Sequence, residues 1–374
     1  MKLCIFPNDP IKAYYEKGEI KENYFNPENI FDEVHVISFT DKDVEEFKVQ
    51  KIVGNAKLVI HSIGKINIKN RKKEITKVID IVKKISPDVI RTYNPLIEGW
   101  CASFVAKNLN IPCFVSLHTQ YDHNRQIMKK KNLKKYLVLK YTEKFIEPYV
   151  LQNASKITIV YKIIESYVLK HTIIKPELVY NKVNCKKFYD SNKIEELSKP
   201  LILSVGNLIE GKNHKLLIES MKKIDANLLI IGNGKLYEKL IDQIKTNSLE
   251  NKISIIKSVP NDIISQYYKS ADIFALLYDV KQEGLPMPVM EAMAAGTPVI
   301  IPKSLDSEGL EEAVLFSECN INLFCEKINK LFQDTKLRDR MSLKGLELVQ
   351  KFDSKKIEKR EAEIYMELVQ KWYN

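Results

Sequence analysis

The sequence predicts an α/β protein of two Rossmann-like domains, each a parallel sheet flanked by helices. Three observations lead there. Short β-branched runs alternate with longer helical patterns, which implies a parallel sheet with helices on both faces. The alternation stops at a polar, charged stretch, Lys186 to Pro200, and then restarts. A chain of 374 residues is also long for a single core.

The first series has strand candidates at Leu3 to Phe6, Val34 to Phe39, Leu58 to Ile63, Val89 to Tyr93, Cys113 to His118, Ile157 to Tyr161 and Leu178 to Tyr180. Helical stretches such as Lys69 to Ile85 and Leu96 to Leu109 lie between them. Ser86-Pro87 and Ile111-Pro112 mark boundaries ahead of strands, because the residue before a proline is pushed out of the helical region. Lys186 to Pro200 reads as a linker. The second series has strands at Leu201 to Val205, Leu228 to Ile231, Ile253 to Ile256, Ile273 to Leu277 and Val299 to Ile301. Its helices fall near Lys215 to Lys223, Leu236 to Thr246 and Asp262 to Lys269. From Asn320 onward the pattern is helical. The expected domains are residues 1–190 and 198–353, with a last helix over 354–374. There is no short-period repeat and no low-complexity tail.

Hydrophobic content of 45% is that of a globular protein. Six cysteines form no Cys-x-x-Cys pair, and four sit in apolar runs, so they read as reduced thiols rather than disulfides or metal ligands. The chain enters an apolar strand at Leu3 without a signal-peptide layout, and no apolar run approaches the ~20 residues that span a bilayer. A cytoplasmic protein is expected. The net charge of +11 admits nucleic acid, anionic membrane or anionic substrate as partner, and equally a lysine-rich composition along the whole chain.

The most informative stretch is Glu283-Gly-Leu-Pro-Met-Pro-Val-Met-Glu291, continuing to Ala295-Gly-Thr-Pro-Val-Ile300. Glu283 follows an apolar strand and a short polar turn. Glu291 falls inside a short helix whose first turn suits Pro286 or Pro288 and which Gly296 can stop. The N–H groups of Gly284 and Leu285 lie at that helix's N-terminus, where an anion is welcome. Two acids here suggest hydroxyl recognition beside a bound phosphate.

This stretch resembles the sugar-nucleotide signature of retaining glycosyltransferases of the GT-B fold, the group 1 family that includes sucrose-phosphate and mannosyl transferases. The resemblance implies two Rossmann-like domains facing across a cleft, and a last helix that crosses back onto the N-terminal domain. In open parallel sheets ligands bind beyond the C-terminal strand ends, so one sheet would hold the nucleotide and the other the acceptor. Glu283 would hold the donor sugar. The backbone at Gly284, Leu285 and Pro286 would meet sugar and phosphate, and Glu291 the ribose hydroxyls. In Val205-Gly-Asn-Leu-Ile-Glu-Gly-Lys212, Gly206, Leu208 and Lys212 match the family's Gly-Arg-Leu…Lys segment, and Asn207 stands in place of the arginine. Lys212 would be the diphosphate ligand, with Asn207 able to donate one hydrogen bond. Ser258 and Val259 occupy the place where the backbone meets the base. Gly232-Asn-Gly234 is a tight turn. His118, ending a strand in Ser116-Leu-His118, would contact the donor sugar; a core histidine is the competing reading. On the acceptor side, Gly18 is the only glycine where the family has a Gly-rich loop, and Asn94 ends a neighbouring strand. Only Asn181 and Val183 keep the family's Pro-Asn-Gly-Val-Asp segment.

The implied activity is hexosyl transfer from a nucleotide-diphosphate sugar, with no cofactor and no metal; His123 has no evident third ligand partner. The acceptor would be a glycan, a lipid-linked sugar or a small molecule. A sugar-nucleotide epimerase is the alternative enzyme. A basic nucleic-acid-binding protein is the alternative class, but no motif for it is present and no nucleic-acid partner is expected. Lys129-Lys-Lys-Asn-Leu-Lys-Lys-Tyr136 opens a helix carrying Leu133, Tyr136, Leu137 and Tyr141 among lysines. It fits peripheral contact with anionic membrane, or a core-packed helix with snorkelling lysines.

Overall fold

The computed structural model describes residues 1–307 and 309–373. The chain forms two compact units, Met1–Tyr180 with the segment from Ile357 onward, and Asn181–Lys356.

The first unit has strands β1 (Lys2–Phe6), β2 (Glu33–Ser38), β3 (Lys57–Ser62), β4 (Val89–Thr92), β5 (Cys113–Leu117), β6 (Lys156–Ile159) and β7 (Glu177–Leu178). They form one parallel sheet in the order β3-β2-β1-β4-β5-β6-β7. Cys4 lies opposite His35 on one side and Ile90 on the other. The central strands β4 and β5 are buried at every position and mostly apolar, because both faces are covered. Cys4 and Phe6 pack with helices Arg71–Ile85 and Ile97–Leu109. Leu3 and Ile5 face the opposite core, which includes Ile364, Tyr365 and Leu368 of the last helix, Ser354–Tyr373. Burying those three side chains stabilises the docked helix by about 1.5–3 kcal/mol each.

An ion pair locks the same helix. Arg91, on β4, is buried and donates to Glu361 at 2.8 Å, the Tyr365 hydroxyl at 2.8 Å and Ser116 Oγ at 3.1 Å. A buried guanidinium is tolerated only with such a set of partners.

The second unit has β8 (Leu201–Val205), β9 (Asn227–Ile231), β10 (Ile253–Ile256), β11 (Ile273–Ala275), β12 (Val299–Ile301) and β13 (Val314–Phe316), parallel in the order β10-β9-β8-β11-β12-β13. The three-residue strand β13 was not among the expected strands.

Two expectations are corrected. The stretch read as a linker from Lys186 is structured at its start: helix Cys185–Tyr189 is capped by Asn184 and buries Cys185 and Phe188, whose ring packs edge-on against Tyr268. The two units divide at Tyr180/Asn181. The basic stretch is two helices, not one opening at Lys129. Tyr121–Lys131 ends at Asn132, which is extended and accepts from the Lys135 N–H to cap Leu133–Phe145. Five of the six free cysteines are buried and Cys319 is exposed.

Candidate functional site

In the second sheet the chain runs outward through β8, β9 and β10, then returns to the other side of β8 as β11. The crevice beyond β8 and β11 is thus a topological switch point, where open α/β sheets bind ligands. The loops leaving these two strands carry Gly206 to Lys212 and Glu283.

Those loops are stitched together. The Asp279 N–H donates to the Gly211 carbonyl at 2.7 Å, and Asn213 Nδ2 donates to the Leu277 carbonyl at 2.6 Å. Lys212 lies between these ties with its stem against Gly206. Its Nζ meets Glu283 Oε2 at 2.6 Å, and the lysine side chain is only 7% exposed. A lysine this enclosed requires a charged partner or ligand.

Gly232 explains part of the Gly-x-Gly turn. A side chain there would strike the Gly206 carbonyl oxygen at 2.0 Å, so the loops after β8 and β9 can meet only across a glycine. Leu208 N–H then bonds the Asn233 carbonyl at 2.9 Å. Asn207 is exposed at the tip of this turn. Ser258 and Val259 follow β10, the former exposed and the latter half-buried.

After Glu283 the chain enters helix Met287–Ala294, with Pro286 at its N-cap and Pro288 in its first turn. Gly296, at φ +74°, stops it, and the Thr297 N–H closes the end on the Ala292 carbonyl. Gly284 and Leu285 are buried, and among the described residues their N–H groups have no acceptor. Buried N–H groups are seldom left unpaired, so these are ready to receive a ligand oxygen. The Tyr278 hydroxyl donates to the Gly284 carbonyl at 2.6 Å. Tyr278 is itself buried, and burial pushes its hydroxyl pKa far up, keeping it a donor. Because C=O and the following N–H point opposite ways in a trans peptide, anchoring the Gly284 oxygen aims the Leu285 N–H away from Tyr278.

Glu291 is half-buried on that helix and accepts at Oε2 from the Tyr268 hydroxyl at 2.7 Å. Burial, then the Glu291 charge, raises the Tyr268 pKa well above its usual value. One carboxylate oxygen is thus committed. Tyr278 and Tyr268 are the site residues that sequence reasoning missed, since nothing in the spacing of a lone tyrosine shows which oxygen its hydroxyl will reach.

The remaining candidates belong to the first unit. His118 begins the loop after β5, and Asn94 is the second residue of the loop after β4. His118 Nε2 is enclosed without a hydrogen-bond partner, as is the hydroxyl of Tyr93, whose ring centroid is 5.6 Å from that of His118. Burial, then the Arg91 charge, lowers the His118 pKa to about 4, so the ring is neutral near pH 7. Two unsatisfied polar atoms at C-terminal strand ends mark a place for hydroxyl groups. Asn94 donates to Asn8 Oδ1 at 2.7 Å, bridging the ends of β1 and β4, and accepts from the Leu96 N–H at 2.8 Å. Gly18, at φ +69°, is exposed just beyond helix Ile11–Glu16. Among the described residues no group of three or more His, Cys, Asp or Glu could hold a metal ion, and no helix is long and apolar enough to cross a membrane.

Residues 186–347 match the family model for glycosyl transferases group 1. An uncharacterized glycosyltransferase of Methanocaldococcus jannaschii is 24% identical over 350 residues, covering 90% of this chain and 90% of that protein. The alpha-monoglucosyldiacylglycerol synthase of Streptococcus pneumoniae is 25% identical over 287 residues, covering 71% of this chain and 63% of that enzyme. In fold, the crystal structure of HepE from Anabaena in complex with UDP and glucose superposes with a TM-score of 0.73 at 16% identity, covering 98% of this chain and 100% of that one. Over residues 186–347 the chain is thus similar to the group 1 glycosyl transferases, and its fold of two parallel sheets is that of GT-B structures.

Proposed function

We propose that the protein transfers a hexosyl group from a nucleoside-diphosphate sugar with retention of anomeric configuration and without a divalent metal. The observation that carries this reading is the buried Lys212, paired with Glu283 beside two peptide N–H groups that have no acceptor among the described residues. A diphosphate would draw Lys212 and the N–H groups of Gly284 and Leu285, freeing Glu283 to accept hydroxyls of the donor sugar. Stabilising the departing diphosphate is the largest demand of such a transfer, and a fixed ammonium with aimed N–H groups can meet it without a cation. Asn207 adds no charge there, so the demand rests on Lys212. Glu291 would accept a ribose hydroxyl through the oxygen that Tyr268 leaves, and Ser258 and Val259 would border the base. His118, neutral, would hydrogen-bond the sugar. The oxocarbenium-like charge would be met by the donor's own phosphate, and no carboxylate is assigned as nucleophile.

The acceptor in this reading is a glycan or a lipid-linked sugar at the cytoplasmic face of a membrane, in a polysaccharide or glycolipid pathway. The streptococcal relative, named for a diacylglycerol glycolipid, supports the lipid form. HepE, crystallised with UDP and glucose, supports a UDP-sugar as the first donor to try.

The test is a panel of UDP-, GDP- and ADP-sugars with the protein in EDTA, followed by NMR of the anomeric proton. Slow hydrolysis or transfer that keeps the donor's anomeric configuration supports the proposal. Inversion refutes retention, and dependence on added Mg2+ or Mn2+ refutes metal independence. Epimerised sugar from donor alone would favour the epimerase.

A further inference from the structure

The helix Leu133–Phe145 packs in the reverse of the usual sense. A surface helix of a globular protein turns its apolar stripe inward. Here Leu133, Leu137, Val138, Tyr141 and Phe145 are exposed, Leu133 at 65%, Leu137 at 60% and Phe145 at 54%. They recur every four residues with Val138 beside them, so they share an arc of about 140°. The buried residue of the helix is Thr142, a polar one.

A polar cluster accounts for the inversion. Glu147 is fully buried and receives the Thr142 hydroxyl at 2.8 Å, Arg125 Nη1 at 2.8 Å and the Tyr167 hydroxyl at 2.6 Å. Arg125, on the preceding helix, also reaches Asp122 at 2.5 Å. Glu143 pairs with Lys140 and, at 2.8 Å, with Lys170. The helix is thus fastened by its hydrogen-bonding side, and its apolar side is left to solvent. Such a patch on a soluble chain marks an interaction surface.

Charge says what covers it. Residues 129–145 hold seven lysines, Lys129, Lys130, Lys131, Lys134, Lys135, Lys140 and Lys144, against the single acid Glu143, which is already paired. Lys144 extends over the Phe145 ring at 5.2 Å, and the Arg71 guanidinium lies 5.7 Å from the Tyr141 ring. Aliphatic and aromatic side chains ringed by long basic ones match the layers of a bilayer surface, with rings and aliphatic tips at the acyl boundary and ammonium groups at the phosphates. Nucleic acid would leave the aliphatic row unused.

We propose that this face docks on an anionic lipid surface, with Leu133, Leu137, Tyr141 and Phe145 entering the headgroup region and the lysines contacting lipid phosphates. The inference deepens the lipid-linked form of the proposed acceptor, and it rests on that reading only for its purpose. The orientation it requires is already built, so docking needs no unfolding of the helix.

The experiment is co-sedimentation with vesicles of phosphatidylcholine alone and of phosphatidylcholine with phosphatidylglycerol, from about 0.05 to about 0.5 M salt. Nucleoside-diphosphate binding is measured on the same samples. The expected result is pelleting with the anionic vesicles only, fading with salt. Lys129→Gln with Lys130→Gln and Lys131→Gln should lower partition roughly tenfold to a hundredfold. Leu137→Ser with Phe145→Ser, at exposed positions, should do the same while leaving nucleotide binding unchanged. No pelleting of the wild type, equal pelleting with neutral vesicles, or full pelleting of the Leu137/Phe145 variant would overturn the inference. So would a size shift showing that the same variant dissociates a homodimer that ignores vesicles. Pelleting without nucleotide binding would instead count against the transferase reading and leave the docking face standing.

Discussion

Lys212 and Glu283 meet across the switch point of the second sheet, Nζ to Oε2 at 2.6 Å, with the lysine nearly sealed from solvent. The pair joins the loop after β8 to the loop after β11 and keeps a buried ammonium neutralised; in the proposed function a ligand phosphate takes the carboxylate's place. Lys212→Ala is expected to reduce transfer about 10²–10³-fold, the scale of removing one preorganised charge-stabilising donor. Glu283 is partly solvated, so it can lose its partner without unfolding the protein. Turnover under saturating donor, with circular dichroism as the folding control, checks this. Wild-type turnover would return Lys212 to a structural role.

Tyr278→Phe removes one hydroxyl and leaves the ring's packing in place. The Gly284 carbonyl then lacks its donor at 2.6 Å, and the Leu285 N–H loses its fixed aim. Stability should fall by about 1 kcal/mol. Turnover should fall about tenfold or more while the affinity for free nucleoside monophosphate, which lacks the β-phosphate, stays unchanged. Equal losses in both readouts would mean general loosening of the loop.

Glu291→Gln should weaken nucleoside-diphosphate binding by about 1–3 kcal/mol, as a charge-assisted bond to a ribose hydroxyl becomes a neutral one. Tyr268→Phe should act in the same direction by a smaller amount, because it frees Glu291 Oε2 to turn. Calorimetry on both variants tests the order of the two effects.

The neutral His118 has a consequence for pH dependence. Its folded pKa, about 4, lies below the ordinary histidine value of 6.5, so between these values the unfolded chain binds more protons than the folded one. This histidine's contribution is therefore fully present above about pH 6.5 and is lost as pH falls toward 4. The buried His214 behaves alike, lowered to about 4 by burial and then by Lys212. His118→Gln should flatten the fall of the melting temperature between pH 6.5 and 4 and cut transfer strongly at pH 7. An unchanged pH profile would contradict the burial assigned to the ring.

The strands were legible because the central ones are mostly apolar on both faces, and the helix at Met287–Ala294 because Pro286, Pro288 and Gly296 punctuate it. The pairing of Lys212 with Glu283 was not legible: 71 residues separate them, and only the return of β11 beside β8 brings their loops together. The inverted packing of Leu133–Phe145 was hidden for another reason. Its apolar spacing suits a core helix equally well, and the decision lies in Glu147, Arg125 and Tyr167, which come from three other helices. Cys185–Tyr189 was read as linker because five residues are too few to show a period.

The central claim is that the switch-point crevice of the second sheet binds the diphosphate of a sugar nucleotide. Isothermal titration of the wild-type protein with UDP, GDP and ADP in EDTA tests it most directly, repeated for Lys212→Ala and Glu291→Gln. The account predicts saturable binding of at least one nucleotide, weakened at least about tenfold in each variant, the scale of one lost charge-assisted bond. Binding of none of them, or binding that both variants retain in full, would contradict it.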